Sequence, residues 1–196
     1  MATRKIAVIV GSLRKDSFNR KIAKTLMLQA PSTLDMEIVE IGQLALYNQD
    51  DDGNPPATYT EFRDRIRAVD GVLFCTPEYN RSVPGALKNA IDVGSRPYGQ
   101  SAWSGKPCAV ISASPGAIGG ALANHQLRQA CVFLNMPVMQ QPEAYLGNVT
   151  DDSFGADGLL VDGPLKQVVT KLAHAFAEWV GMIHDARAHL TRTSRG

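Results

Sequence analysis

Short apolar runs alternate along the chain with longer stretches in which apolar residues recur every three or four positions. Three runs, Lys5–Val10, Val72–Phe74 and Lys106–Ser112, show little or no polar alternation, which is typical of strands buried on both faces of a parallel sheet. Glu37–Ile41 and Pro137–Met139 predict two further strands. The pattern therefore indicates five strands, each followed by an amphipathic segment.

These amphipathic segments predict five helices. Thr58 and Glu61 form a potential capping box for the second helix, Pro84 opens the third, and the fourth spans about residues 120–134. The predicted apolar faces are Ile22, Ala23, Leu26, Met27 and Ala30 in the first helix, Tyr59, Phe62, Ile66 and Val69 in the second, Leu87, Ala90, Ile91 and Gly94 in the third, and Leu165, Val168, Val169, Leu172, Phe176, Trp179, Val180 and Ile183 in the fifth.

Strands alternating with helices predict an α/β fold, a doubly wound parallel sheet of five strands in three α/β/α layers. We expect a single domain over residues 1–190 and a disordered tail over residues 191–196, because neither a repeat nor a linker interrupts the pattern. The segment Gln141–Gly163 is rich in Gly, Asp and Asn and predicts a loop that can hold a small hairpin.

Composition narrows the class of function. With 196 residues, 44% apolar and 20% charged, the chain is typical of a globular protein, and a balance of 20 basic to 19 acidic residues gives no sign of a nucleic-acid surface. No apolar run is long enough for a membrane span, and Met1–Ile6 does not resemble a signal peptide. Cys75, Cys108 and Cys131 are odd in number and lack CxxC spacing, so we expect buried thiols in a reducing cytoplasm, with a redox or nucleophilic role as the alternative.

The loop after the first strand has the composition of a phosphate site. Gly11 is its only glycine, so it lacks both the GxGxxG of dinucleotide-binding folds and the Gly-Lys-Ser/Thr of a P-loop. Ser12, Arg14, Ser17 and Asn19 instead place hydroxyl, guanidinium and amide groups at a helix N-terminus, which attracts a phosphate monoester. The alternative is that Ser17 merely caps the first helix.

A second polar loop follows the third strand. Glu78–Ser82 carries an acid, a phenol, an amide and a guanidinium, and it is either a ligand-binding loop or an ordinary turn between strand and helix. A phosphate bound after strand 1, with this loop beside it, favours the flavodoxin-like strand order 2-1-3-4-5.

Three motifs together resemble the NAD(P)H-dependent FMN reductases, and within them the bacterial chromate and quinone reductase branch. They are Gly11–Asn19, Pro77–Asn89 and Ser112–Gly120. The resemblance implies a flavodoxin-like fold with bound FMN, NADH or NADPH as electron donor, and homodimers or homotetramers. It also implies two-electron, ping-pong hydride transfer to small-molecule oxidants such as quinones, free flavins and chromate.

The resemblance also implies site residues. The FMN phosphate would be held by Ser12, Arg14, Ser17 and Asn19, in a loop that includes Leu13 and Phe18. The isoalloxazine ring would lie in a cradle of Pro77, Glu78, Tyr79 and Asn80, with Ser114, Gly116 and Gly119 on its other side. Substrate would meet Glu78, Arg81 and Arg96. Ala45 stands where similar proteins often have proline in a Leu-Pro-Leu-Tyr loop.

No catalytic side chain and no metal site are assigned, because flavin carries the hydride chemistry itself. The four histidines form no HExxH motif, and Ser112–Gly116 lacks the first glycine of a GxSxG elbow. Two alternatives remain, a flavodoxin-like electron carrier and an FMN-binding redox regulator. A formal net charge of +1 argues against the carrier, which would steer to basic partners through an acidic surface.

Arg96 leads to a hypothesis about assembly. The third predicted helix, Pro84–Gly94, is roughly 15 Å long, so Arg96 lies too far from Glu78 and Arg81 to share their cleft within one chain. A two-fold dimer would place Arg96 at the flavin loop of the partner. Alternatively, Arg96 interacts with the terminal carbonyls of its own helix.

Overall fold

A single parallel sheet forms the centre of the protein in the computed structural model, which describes residues 3–193. Its strands are Arg4–Val10 (β1), Leu34–Ile38 (β2), Gly71–Thr76 (β3), Cys108–Ala113 (β4) and Ala144–Leu146 (β5). The order β2-β1-β3-β4-β5, with every neighbouring pair parallel, confirms the predicted flavodoxin-like topology.

Five α-helices cover the two faces of this sheet: Phe18–Gln29 (α1), Ala57–Arg67 (α2), Gly85–Gly94 (α3), Ala121–Phe133 (α4) and Pro164–Thr193 (α5). Apolar residues of α1 and α5 pack on one face, and those of α2, α3 and α4 pack on the other. α5 extends three residues into the tail predicted from residue 191, and residues 194–196 lie outside the described part of the chain.

The connection between α3 and β4 is fixed by a buried tryptophan. Trp103 has no exposed surface, and its indole nitrogen donates to the Ile91 carbonyl at 2.9 Å. Gly94, the last residue of α3, lies directly against it, because a Cβ added there would be 2.5 Å from the indole ring. This close approach requires glycine at that position.

Two strand predictions were wrong in position. β2 covers Leu34–Ile38 instead of Glu37–Ile41, because Leu34 to Ile38 pair in register with Arg4 to Val8. Val39 and Ile41 are buried, but they lie in the chain after the strand. The apolar run that looked like a strand therefore includes core residues of the following loop.

The fifth strand is Ala144–Leu146, inside the segment predicted as a loop. Val138 of the predicted strand forms only an isolated bridge with Cys108. The hairpin expected in this segment is reduced to one antiparallel bridge between Phe154 and Leu160.

The predicted capping box of α2 is also absent. The helix begins at Ala57 with Pro56 as its N-cap and without a side-chain cap bond, so Thr58 already lies inside the first turn. Three residues of the predicted inner face, Tyr59, Phe62 and Ile66, are confirmed as buried. The fourth, Val69, lies after the end of the helix and is partly buried.

Candidate functional site

A cleft opens where β1, β3 and β4 end, at the point in the sheet where the direction of strand order reverses. In doubly wound folds this edge is where ligands bind, because the loops leaving neighbouring strands diverge there. The residues lining the cleft are Ser12, Arg14, Ser17, Phe18, Asn19, Pro77, Glu78, Tyr79, Ala113, Ser114 and Pro115. The structure thus brings residues of all three sequence motifs into one site.

The serines of the first loop are nearly buried, and their hydroxyl groups are still able to donate. Ser17 is the N-cap of α1 and accepts from the Arg20 amide at 3.3 Å, so it does cap the helix. Ser12 accepts from the Arg14 amide at 3.4 Å. Within residues 3–193 neither hydroxyl donates a hydrogen bond, which leaves both O–H groups for an anionic ligand.

Cations surround the entrance to α1. The Arg14 guanidinium is exposed, forms no ion pair within the described residues, and lies 5.8 Å from the centre of the Phe18 ring. Lys21, which sequence analysis did not single out, places its ammonium 5.9 Å from the same ring and 4.9 Å from Phe154. Phe18 and Phe154 stack with centroids 5.5 Å apart. Together with the helix dipole, these charges favour a phosphate at this end of α1.

Asn19 has a structural contact in addition to its place in the cleft. Its side-chain amide donates to the Ala113 carbonyl at 3.1 Å, in a buried position. This bond ties the first turn of α1 to the end of β4. Asn19 therefore fixes the spacing of two walls of the cleft.

The loop after β3 is a tight two-residue turn. Tyr79 and Ser82 exchange backbone hydrogen bonds of 3.1 and 3.0 Å, and the residues between them, Asn80 and Arg81, have φ angles of 51° and 63°. Two positive φ angles within such a pair are typical of a type I′ turn. Tyr79 lines the cleft and is 48% exposed, whereas Asn80 and Arg81 lie outside the lining.

Glu78 uses its carboxylate within the chain. Its Oε2 accepts from the Leu122 and Ala123 amides at 3.0 and 3.2 Å, and its Oε1 pairs with Arg81 at 3.1 Å. The N-cap residue of α4 is Gly120, which has no side chain to satisfy those amides, so Glu78 caps the helix from another loop. Its side chain is only 8% exposed.

The two glycines assigned from the third motif have different surroundings, since Gly119 packs against β5 and Gly116 is exposed. Gly119 has a φ of 60°, and a Cβ there would lie 2.5 Å from the carbonyl carbon of Tyr145. Gly116 is exposed, and its carbonyl accepts from the Ser114 hydroxyl at 3.2 Å. Neither glycine lines the cleft, which instead contains Ala113 and Pro115 next to Ser114. Leu13 is likewise outside it and is 58% exposed.

Arg96 lies outside the cleft, in a separate groove that also contains Tyr98 and Phe133. The Ile91 and Asp92 carbonyls near the end of α3 accept from the Ser95 amide and hydroxyl. The Val93 carbonyl accepts from the Arg96 backbone amide at 3.4 Å. The Arg96 guanidinium instead lies 5.8 Å from the centre of the Tyr47 ring. The structure therefore does not support the alternative in which the Arg96 side chain interacts with the terminal carbonyls of its own helix.

The loop that carries Ala45 is held by side chains. The Ala45 carbonyl accepts from Asn89 Nδ2 at 2.8 Å and from the Tyr59 hydroxyl at 3.1 Å, while Asn89 Oδ1 accepts from the Tyr47 amide at 2.8 Å. These bonds fix the loop at Ala45.

Other chemistry is scarce in the described residues. Residues 3–193 contain no cluster of His, Cys, Asp or Glu suited to a metal ion, and no helix among them is long and apolar enough to cross a membrane. Burial raises the pKa of the Cys75 thiol, which makes it unreactive. Tyr145 contacts His125 at 3.0 Å, and burial together with the neighbouring Glu143 raises the pKa of Tyr145 to about 12.

Comparison with known proteins points to one family. The family model for NADPH-dependent FMN reductases matches residues 4–151, a span that contains all three loops of the cleft. A quinone reductase from Pseudomonas putida is 60% identical over 176 residues, which cover 89% of this chain and 94% of that protein. A 2-hydroxy-1,4-benzoquinone reductase from a Burkholderia species is 46% identical, with coverages of 90% and 96%.

A solved structure agrees with these relatives. The flavoenzyme NAD(P)H:(acceptor) oxidoreductase FerB from Paracoccus denitrificans superposes with a TM-score of 0.86 at 42% identity, covering 92% of this chain and 98% of its own. The likeness therefore extends over the whole architecture, including the edge of the sheet where the cleft lies.

Proposed function

The chain belongs to the NADPH-dependent FMN reductase family, and from this premise we propose that it is a quinone reductase that keeps its FMN bound. It is an oxidoreductase that uses FMN with NAD(P)H as electron donor. The observation that carries the proposal is that the hydroxyl-rich N-terminus of α1 and the loops after β3 and β4 line one cleft. The relatives named above as quinone reductases supply the substrate class.

The residues present fit FMN. Ser12 and Ser17 offer free O–H donors at the positive end of α1, as a phosphate monoester needs. Arg14 adds an exposed guanidinium that has no ion pair in the described residues and donates one long hydrogen bond of 3.5 Å to the Asp16 carbonyl. Tyr79, Ser114 and Pro115 line the same cleft, where the flat ring of FMN would lie. When bound there, FMN supplies reversible two-electron hydride chemistry. The chain itself would bind the phosphate and orient the ring.

An acceptor panel tests this function. With FMN bound and either NADH or NADPH as donor, we expect kcat/KM to be higher for benzoquinones than for chromate. Stacking on a bound ring favours a planar acceptor, which is the physical reason for that order. Nucleotide oxidation that does not respond to quinone would contradict the proposal. A carrier or a regulator would bind FMN without catalytic NAD(P)H oxidation.

Kinetic order tests the single cleft. Because both substrates must occupy the same cleft in turn, double-reciprocal plots at several quinone concentrations should be parallel. Intersecting lines would require both substrates to bind together. Activity lost on dialysis and restored by added FMN would show FMN to be a diffusing substrate.

We further propose that the enzyme is a cytoplasmic homodimer or homotetramer. The groove beside Arg96 exposes Tyr98 and Phe133 by 87% and 86%, which is an unusual amount of aromatic surface for a monomer. The three cysteines are free and buried, as expected in a reducing compartment.

A further inference from the structure

Helix α4 holds the turn Tyr79–Ser82 at both of its ends. At the entrance, Glu78 accepts from the Leu122 and Ala123 amides in the first turn of the helix. One turn later, Gln126 reaches the far end of the same loop. The backbone between these two attachments carries Tyr79 into the cleft.

The contacts of Gln126 are specific in both directions. Its Oε1 accepts from the Ser82 hydroxyl at 2.7 Å and from the Val83 amide at 3.4 Å, and its Nε2 donates to the Arg81 carbonyl at 3.1 Å. An amide is suited to such a place because it is donor and acceptor at once. The side chain therefore fixes the positions of Arg81, Ser82 and Val83 relative to α4.

The turn needs such support. Arg81 has a φ of 63°, and arginine rarely adopts that left-handed conformation, unlike the asparagine before it. Residues held in such conformations persist where surrounding contacts over-determine them. Gln126 supplies those contacts from a helix whose first residue, Ala121, directly follows the loop that contains Ser114 and Pro115.

We propose that Gln126 is a positioning residue that sets Tyr79 at the mouth of the cleft and thereby sets affinity for the substrates that stack there. This inference rests on the proposed function for its substrates. Gln126 is exposed on α4 and does not line the cleft, so it acts through the turn. Replacing Gln126 loosens the wall of the cleft that Tyr79 forms but leaves the phosphate loop before α1 intact.

The kinetic test compares Gln126→Met with Gln129→Met, the same change at an exposed position on the same helix. In Gln126→Met we expect KM for NAD(P)H and for a benzoquinone to rise about threefold to tenfold, the range that corresponds to one or two lost hydrogen bonds. The value of kcat should stay within about twofold, because uniform binding is lost and not the transition-state contacts. Gln129→Met should match the unsubstituted enzyme.

A double-mutant cycle separates positioning from general loosening. In a Tyr79→Ala background the residue to be positioned is gone, so Gln126→Met should change KM by less than about twofold. An equal rise in both backgrounds, or no rise in Gln126→Met alone, overturns the proposal.

Hydrogen exchange in the FMN-free protein tests whether Gln126 holds the turn Tyr79–Ser82, and this measurement does not depend on enzymatic activity. The Tyr79 and Ser82 amides, each of which donates to the carbonyl of the other residue across the turn, should exchange about threefold to tenfold faster in Gln126→Met than in Gln129→Met. If exchange is unchanged in Gln126→Met while the unsubstituted enzyme reduces quinones, the role of Gln126 is overturned and the proposed function stands. Absence of FMN binding or NAD(P)H oxidation in the unsubstituted protein overturns the proposed function and leaves the exchange result to be judged separately.

Discussion

At the scale of single residues, Arg14 gives the sharpest test of the phosphate site. It is an exposed guanidinium with no partner carboxylate within the described residues, so its charge is available to a ligand. Arg14→Ala should weaken FMN binding by about 1.5 kcal/mol, roughly tenfold, as expected for a lost hydrogen bond to a charged group. Equilibrium dialysis or fluorescence titration measures the change.

Riboflavin and a neighbouring lysine provide the controls for Arg14. Riboflavin lacks the phosphate, so its affinity should hardly change in Arg14→Ala. Lys15→Ala removes the same charge from the next exposed residue and should have a smaller effect on FMN. Equal losses for FMN and riboflavin would place the Arg14 contact elsewhere on the flavin.

Gly94, the last residue of α3, tests the packing of that helix against Trp103. A methyl group at this position would lie 2.5 Å from the buried Trp103 ring, so Gly94→Ala should lower the free energy of unfolding by about 1–3 kcal/mol, as overpacking does. Gly181→Ala in α5 is the matched control, because nothing lies within 4 Å of its added Cβ. Gly181→Ala should stabilise the protein by about 0.5–1 kcal/mol. Urea unfolding of both variants decides the matter, and equal shifts would show that Trp103 moves aside.

At the scale of secondary-structure elements, the sequence was most informative where an element is buried on both faces or amphipathic. β3 and β4 are buried at every position, so apolar runs in the sequence were enough to predict both strands. β5 has only three residues and no pattern of its own, and an apolar run at Val138 took its place in the prediction. A short edge strand is defined by its pairing partner, which local sequence does not reveal.

Contacts between elements were beyond sequence reasoning for the same reason. The loops after the first and third strands were identified from their residue types, because hydroxyl, amide and guanidinium groups after a buried strand indicate ligand binding. The third loop of the cleft, Ser112–Gly120, was assigned only through the resemblance. Glu78 caps α4 by accepting from amides that lie 44 and 45 positions later in the sequence. The hydrogen bond between Ser82 and Gln126 likewise spans 44 positions. No periodicity carries that information.

Asn89 shows how one element fixes another. Its side chain joins α3 to the loop at Ala45 and Tyr47 by bonds of 2.8 Å in each direction. Asn89→Leu should lower the free energy of unfolding by about 1–3 kcal/mol, because it leaves buried backbone groups without partners. Asn89→Asp keeps an acceptor for the Tyr47 amide and should lose less. If the two variants are equally stable in urea, the loop does not depend on this side chain.

At the scale of the whole molecule, the two edges of the sheet carry different surfaces. The carboxyl edge holds the cleft, whereas the groove with Arg96, Tyr98 and Phe133 includes the segment that precedes β4, at the opposite end of that strand. A two-fold axis that places helices of the α3 and α4 layer antiparallel would bring the aromatic groove of one protomer to the cleft of its partner. Such an arrangement buries the exposed aromatic surface and adds a guanidinium to the site.

The last prediction follows from that arrangement and concerns Arg96. The protein should sediment as a dimer or tetramer at micromolar concentration. Arg96→Ala should lower kcat/KM for NAD(P)H or for an anionic acceptor about tenfold while FMN stays bound, because the partner's cleft loses a positive charge.

Tyr47→Leu is the control for Arg96, since it removes the ring on which the guanidinium lies within its own chain. If Arg96 acted only through that contact, both variants would lose activity equally. If Arg96 reaches the partner's cleft, Arg96→Ala should be the more damaging, and its loss should shrink as salt screens the charge. A monomer in sedimentation, or unchanged kcat/KM in Arg96→Ala for both substrates, would remove Arg96 from the site.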